Sequence, residues 1–202
     1  MTSIFSRLFR PLSASANSAA AAFSVATPRQ NSNSFVTMPD NAQKATLAAG
    51  CFWGVEHLYR KHFANGKGLL DAKVGYAGGK TESPTYRQVC SGDTGHAEAL
   101  QITFDPSIVT YRQLLEFFYR MHDATTANRQ GPDVGTQYRS AIFTHTDDQA
   151  QIAREITDKV AKEWYKQPVT TQIVPAGKWW DAEEYHQLYL EHNPNGYECP
   201  SQ

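Results

Sequence analysis

Apolar residues recur along the chain at two spacings, and the switches between them mark out the elements. Ala45-Thr46-Leu47-Ala48-Ala49 is a short apolar run closed by Gly50, which predicts a strand. Val55, Leu58, Tyr59 and Phe63 then share one face of a 3.6-residue period, with Glu56, Arg60 and Lys61 elsewhere, which predicts a helix. Residues 69–77 read as a strand closed by Gly78-Gly79. Ser83-Pro84 reads as an N-cap with Pro at the first helical position, opening a short helix to about Cys90. Leu100, Ile102 and Phe104 alternate with Gln101, Thr103 and Asp105, the pattern of a half-buried strand.

In the second half, Thr110-x-x-Gln113 is a capping box, with Val109 and Leu114 placed as a hydrophobic staple. Leu114, Leu115, Phe118 and His122 continue the helical period. Residues 140–144 predict a strand, and Thr146-x-x-Gln149 a second capping box ahead of Ile152, Ile156 and Val160. Residues 169–174 predict a strand, and Asp181-x-x-Glu184 caps a last helix. Pro194, Gly196 and Pro200 then break the tail. The stretch 122–139 has no period, and long loops of this kind in compact domains are often functional. Strands alternating with crossover-length helices predict one sheet with helices packed on it. Short and partly alternating strands leave one sheet face less covered. The expected fold is therefore α+β, a two-layer α/β sandwich with an irregular C-terminal tail, rather than a doubly wound sheet.

Charge divides the chain. It has 202 residues and a net charge of −1, yet no acid precedes Asp40. All 20 acidic residues lie at or beyond that point, against 16 of the 19 bases, so the leader is +3 and the body −4. Ile4, Phe5, Leu8, Phe9 and Leu12 repeat at helical spacing around Arg7 and Arg10, ahead of Ser/Ala-rich chain. An acid-poor, Arg-bearing, Ser-rich leader has the character of a transit peptide. Residues 1–40 are expected to be that leader, or a disordered one, and 41–202 the working domain. The expected address is mitochondrial, with the plastid as the alternative. Initiation at Met38 would give a cytoplasmic form. The near balance of bases and acids gives no sign of nucleic-acid binding, and no apolar run reaches the ~20 residues of a membrane helix. Three cysteines are too few for a disulfide scaffold, and neither CxxC nor HExxH occurs, so no metal site is expected.

The candidate chemistry starts at Cys51, which follows a strand and Gly50 and opens a helix. Unpaired amides and the helix dipole stabilise an anion there, so a thiol so placed is expected to be an activated nucleophile rather than an inert buried one. Phe52 and Trp53 beside it are suited to wall an apolar pocket. Glu98 falls in phase with Leu100, Ile102 and Phe104. If the strand includes it, burial raises its pKa and makes it a proton donor; if the strand starts later, it is a solvated loop residue. Tyr86 and Tyr138 offer phenolic donors, and Asp133 a carboxylate, although core packing and a turn role also suit them. His186 reads as a supporting histidine behind the site. Cys199, in the broken tail, is placed to visit Cys51 and resolve a sulfenic acid, and Cys90 reads as structural.

Gly50-Cys51-Phe52-Trp53-Gly54, Tyr76-Ala77-Gly78-Gly79, Tyr86-x-x-Val89-Cys90-Ser91-Gly92, Gly95-His96-Ala97-Glu98, Asp133-Val134-Gly135-Thr136-Gln137-Tyr138-Arg139-Ser140 and Glu184-Tyr185-His186-Gln187 together resemble the peptide methionine sulfoxide reductase A family, in order and spacing. The resemblance runs from about 45 to 200. It implies a ferredoxin-like core and reduction of the S epimer of methionine sulfoxide, free or in proteins. It implies Cys51 as nucleophile, Glu98 as acid, Tyr86 and Tyr138 as hydrogen-bonding partners, Asp133 as supporting carboxylate, and Phe52 and Trp53 as the methyl pocket. It also implies a disulfide, with Cys199 as the recycling cysteine and Cys90 as a less favoured one. Thioredoxin is the implied reductant of a monomer with no metal or organic cofactor. The rivals are a cysteine hydrolase or acyltransferase, for which no Cys/His/Asn signature stands out, and a module that binds oxidised methionine without turnover, which the pairing of Cys51 with Glu98 disfavours.

Overall fold

A computed structural model describes residues 38–197. Residues 1–37 of the expected leader, and Cys199, lie outside the described residues. The elements are β1 (Gln43–Ala49), α1 (Phe52–Phe63), β2 (Leu69–Ala77), α2 (Tyr86–Cys90), β3 (Ala97–Phe104), α3 (Tyr111–Met121), β4 (Arg129–Gln130), β5 (Asp133–Val134), β6 (Ser140–Thr144), α4 (Asp147–Glu163), β7 (Gln172–Pro175), β8 (Trp179–Asp181) and α5 (Tyr189–His192). Single 3-10 turns occupy Thr136–Tyr138 and Glu184–His186.

Six strands form one sheet in the order β7-β6-β1-β3-β2-β8. β1 lies antiparallel to both β3 and β6, and β2 antiparallel to β3. The run β1-α1-β2-β3-α3-β6, with strand order β6-β1-β3-β2, is the ferredoxin-like arrangement. Among the described residues only β6–β7 pair in parallel, and α4 makes that crossover.

Alternation along the strands separates two layers. Leu47, Val74, Leu100, Ile102 and Ile142 face α1, α3 and α4 and build the main core with Phe52, Tyr59, Leu114, Phe118 and Ile156. The opposite face carries small residues, Ala48, Ala77, Ala97, Ala99 and Ala141, around Phe143. Apolar burial of this kind yields about 25 cal/mol per Å2, so the helix side supplies most of the stability.

Several boundaries move from their sequence reading. The short helix α2 is capped by Thr85, not Ser83. The Thr85 hydroxyl accepts from the Gln88 amide while the Gln88 side chain accepts from the Thr85 amide. Ser83 instead takes a left-handed backbone, φ 45°. Thr146 caps α4, but Gln149 does not close the box: its side chain accepts from the His145 amide and donates to the Lys44 carbonyl. Asp181 ends the edge strand β8, and the expected last helix is only the Glu184–His186 turn followed by α5. Leu188 interrupts them at φ 54°. The predicted strand at 169–174 forms as β7, Gln172–Pro175. The stretch 122–139 holds the small β4–β5 hairpin and a 3-10 turn.

The capping box at Thr110 does form in full. Thr110→Ala removes the hydroxyl's two bonds with Gln113 and leaves the one donated by the Thr110 backbone amide, and we expect a loss of about 1 kcal/mol. A lower urea midpoint with an unchanged m-value would report it.

Candidate active site

The site is assembled where β1 hands over to α1. Gly50 takes φ 94°, and a Cβ there would lie 2.7 Å from the Gln130 side chain. Glycine thus meets both the turn and the close approach. Gln130 is buried, and its amide group closes two bonds of 3.1 Å with the Asp123 backbone. That pair seats the 123–138 loop over the turn, with Asp133 opposite Gln130 in the β4–β5 hairpin.

Cys51 is buried at the N-cap position of α1, with φ −59° and ψ 121°. The first amides of a helix have no intrahelical acceptor. The Phe52 amide finds one in Glu98, donating to Oε2 at 3.0 Å. β3 begins at Ala97, so Glu98 belongs to the strand and points to the helix side, 1% exposed. The loop alternative is thereby excluded. Burial pushes its carboxyl up to about 8; the Phe52 amide opposes this and the Asp133 charge adds to it. Near neutral pH Glu98 is mostly a carboxylic acid.

Two phenols face the same group. Tyr86 opens α2 and Tyr138 ends a 3-10 turn. Both are held protonated well above the usual phenol range, first by burial. For Tyr86 a hydrogen bond with Cys90 comes next, ahead of the charges of Glu98, Tyr138 and Cys90; for Tyr138 the surrounding charge comes from Glu98, Cys90, Asp133 and Cys51. The structure thus brings together Cys51, Glu98, Tyr86, Tyr138 and Asp133. Cys90, read as structural from sequence, is exposed at the end of α2 and forms a hydrogen bond with Tyr86.

An aromatic wall stands beside them. The Phe52 and Tyr86 rings lie 5.1 and 4.5 Å from the His186 ring. Trp53 donates its indole N–H to His186 Nδ1 at 3.1 Å and stacks on Tyr189 at 3.7 Å. His186 is 1% exposed and burial lowers its pKa, so it is neutral at pH 7. With Nδ1 accepting, the proton sits on Nε2, which has no hydrogen-bond partner among the described residues and lies 3.9 Å from Glu183 Oε2. His186 is therefore part of the wall itself, in a 3-10 turn rather than on a helix.

Other contributors were given no site role in the sequence reading. Glu183, not Glu184, joins the site: Oε1 accepts from the Tyr86 amide at 2.9 Å and Oε2 from the Tyr76 hydroxyl at 2.8 Å. Buried Glu56 accepts from the Leu188 amide at 2.8 Å and from Arg60 at 3.0 Å. The Gln187 side chain bonds both backbone groups of Val74. These clamps fix the segment that carries His186 and Tyr189. Tyr76 alone was traceable, because β2 alternation buries it and a buried hydroxyl needs a partner. Among the described residues no cluster of His, Cys, Asp and Glu could hold a metal ion.

Comparison with known proteins gives a consistent result. The family model described as peptide methionine sulfoxide reductase matches residues 43–202. A relative from Schizosaccharomyces pombe, named probable peptide methionine sulfoxide reductase, is 55% identical over 160 residues, covering 79% of this chain and 94% of that protein. The crystal structure of Mxr1 from Saccharomyces cerevisiae in reduced form is similar with a TM-score of 0.75 at 48% identity, covering 80% of this chain and 91% of that one. Mxr1 in complex with Trx2 is similar with a TM-score of 0.56 at 32% identity, over 81% and 89%.

Replacing His186 by Phe keeps the ring and deletes the acceptor for the Trp53 N–H. The expected outcome is a loss of about 1–3 kcal/mol, read from urea unfolding.

Proposed function

The chain belongs to the peptide methionine sulfoxide reductase family, and from that premise we propose that Cys51 and Glu98 carry its chemistry. It is a thiol-dependent oxidoreductase that reduces methionine sulfoxide. The observation that supports the residue roles most is the buried, protonated Glu98 hydrogen-bonded to the first amide after Cys51.

Sulfoxide oxygen is a poor leaving group until it is protonated. In the proposed step Cys51 attacks the substrate sulfur while Glu98 gives its proton to the oxygen. The Tyr86 and Tyr138 hydroxyls donate to the same oxygen as it gains charge. The hydroxyl oxygen then passes to the Cys51 sulfur as the substrate S–O bond and the new bond between the two sulfurs break. Methionine leaves, reduced by two electrons, Cys51 is left as a sulfenic acid, and the proton of the original thiol restores Glu98. The Phe52–Trp53–His186 wall takes the substrate methyl group, which supports the choice of the S epimer. The Asp133 carboxylate beside Glu98 adds to the burial that keeps Glu98 protonated.

Cys199 then supplies the second thiol, and the resulting disulfide goes to thioredoxin. The yeast Mxr1–Trx2 complex supports that reductant. The reduction as written needs no metal or organic cofactor.

The sign of the pH dependence follows from Glu98. The protonated form is the active one, so sulfoxide reduction in single turnover should fall about tenfold per unit above pH 8. Glu98→Gln should lower the rate about 100-fold or more near neutrality and remove that descending limb. Cys51→Ser should form no methionine. Chiral chromatography of racemic sulfoxide in a blocked peptide would read all three. An unshifted limb in the glutamine variant would take the acid role from Glu98.

A further inference from the structure

Tyr197 makes a contact that sulfoxide reduction does not require. Its hydroxyl donates to the Asp133 carboxylate, 3.0 Å from Oδ1 and 3.1 Å from Oδ2. The residues before it, 191–196, are exposed or half-exposed, so burial anchors little of this segment. A hydrogen bond to a charged acceptor is of the strong kind. Asp133 is itself within electrostatic reach of Glu98 and Tyr138. The bond therefore ties the end of the described chain to the site's own loop. Cys199 follows two residues later, and two residues span at most ~7 Å.

We propose that Tyr197 is a positioning residue for the second half of the cycle: its hydrogen bond to Asp133 tethers the tail beside the site, so that Cys199 meets the Cys51 sulfenic acid as an intramolecular partner. The inference rests on the reading above that Cys199 is the resolving cysteine. In that step the Cys199 sulfur attacks the Cys51 sulfur and an S–S bond forms. The S–O bond of the sulfenic acid breaks, and the hydroxyl leaves with a proton as water. Cys199 is oxidised and Cys51 is reduced. Tethering raises the effective concentration of the attacking thiol without touching the first step. One carboxylate thus serves both halves, as a charge beside Glu98 and then as the mooring for the tail.

The test uses the full chain, a blocked methionine sulfoxide peptide and no reductant. The methionine burst reports the first step. A dione trap for sulfenic acid on Cys51, read by mass, reports how fast the disulfide closes. Tyr197→Phe should leave the burst within about twofold and slow closure by about tenfold or more, with more trapped Cys51. Closure at the native rate overturns the proposal, as does an equal slowing of burst and closure. Cys199→Ser separates this from the reading beneath it. Persistent sulfenic acid in the serine variant supports Cys199 as resolver; closure without Cys199 removes that reading, and the tether with it.

Discussion

The bond from the Phe52 amide to Glu98 Oε2 joins the two elements on which the chemistry depends. It closes the open end of α1, which otherwise exposes unpaired donors, and it fixes a strand carboxyl against the turn that carries Cys51. The bond stabilises the ionised carboxyl, yet burial outweighs it, and the group stays an acid near neutral pH. A single hydrogen bond of ordinary length so sets the position of the carboxyl, while burial sets its protonation state. The ferredoxin-like pairing of β1 with β3 makes it possible, because it lays the C-terminal end of β1 beside the N-terminal end of β3.

The second dependence is on the chain that follows β8. Without Glu183 the first turn of α2 loses the acceptor for the Tyr86 amide, and without His186 the Trp53 indole has no partner. Glu56, buried on α1, binds the left-handed Leu188 backbone. The aromatic wall is thus a product of late chain packed on early chain, and it needs the whole domain to exist.

How much could be read in advance followed the range of the interaction. Cys51 was legible because strand, glycine and helix onset are local signals. Glu98 was legible because its phase with Leu100, Ile102 and Phe104 names its face, although sequence left open whether the strand reached it. Thr110 capped its helix as read. Ser83 did not, because Thr85-x-x-Gln88 offers a complete capping box two residues later. Glu183, Glu56 and Gln187 were invisible for a different reason. Each bonds backbone groups distant in sequence, and nothing in its own neighbourhood marks it. The family resemblance took in Gln187 and His186, but it did not say what they hold.

The hydrogen bond at Glu98 Oε2 also bears on handedness. One carboxyl oxygen accepts from an amide, so the proton to be given away rests on the other, and it leaves in one direction. A sulfoxide sulfur is a pyramid with three unlike arms. In the proposed reaction the oxygen arm goes to that proton, the methyl arm to the wall of Phe52, Trp53 and His186, and the remaining arm to solvent and the rest of the substrate. The attacking sulfur arrives from the fixed side of Cys51. In the mirror pyramid, with the oxygen kept at the acid, the methyl group points to solvent and the bulkier arm meets the aromatic wall. Chirality is then recognised by three directions that the turn, the strand and the tail have already set, and no residue has to be reserved for that purpose alone.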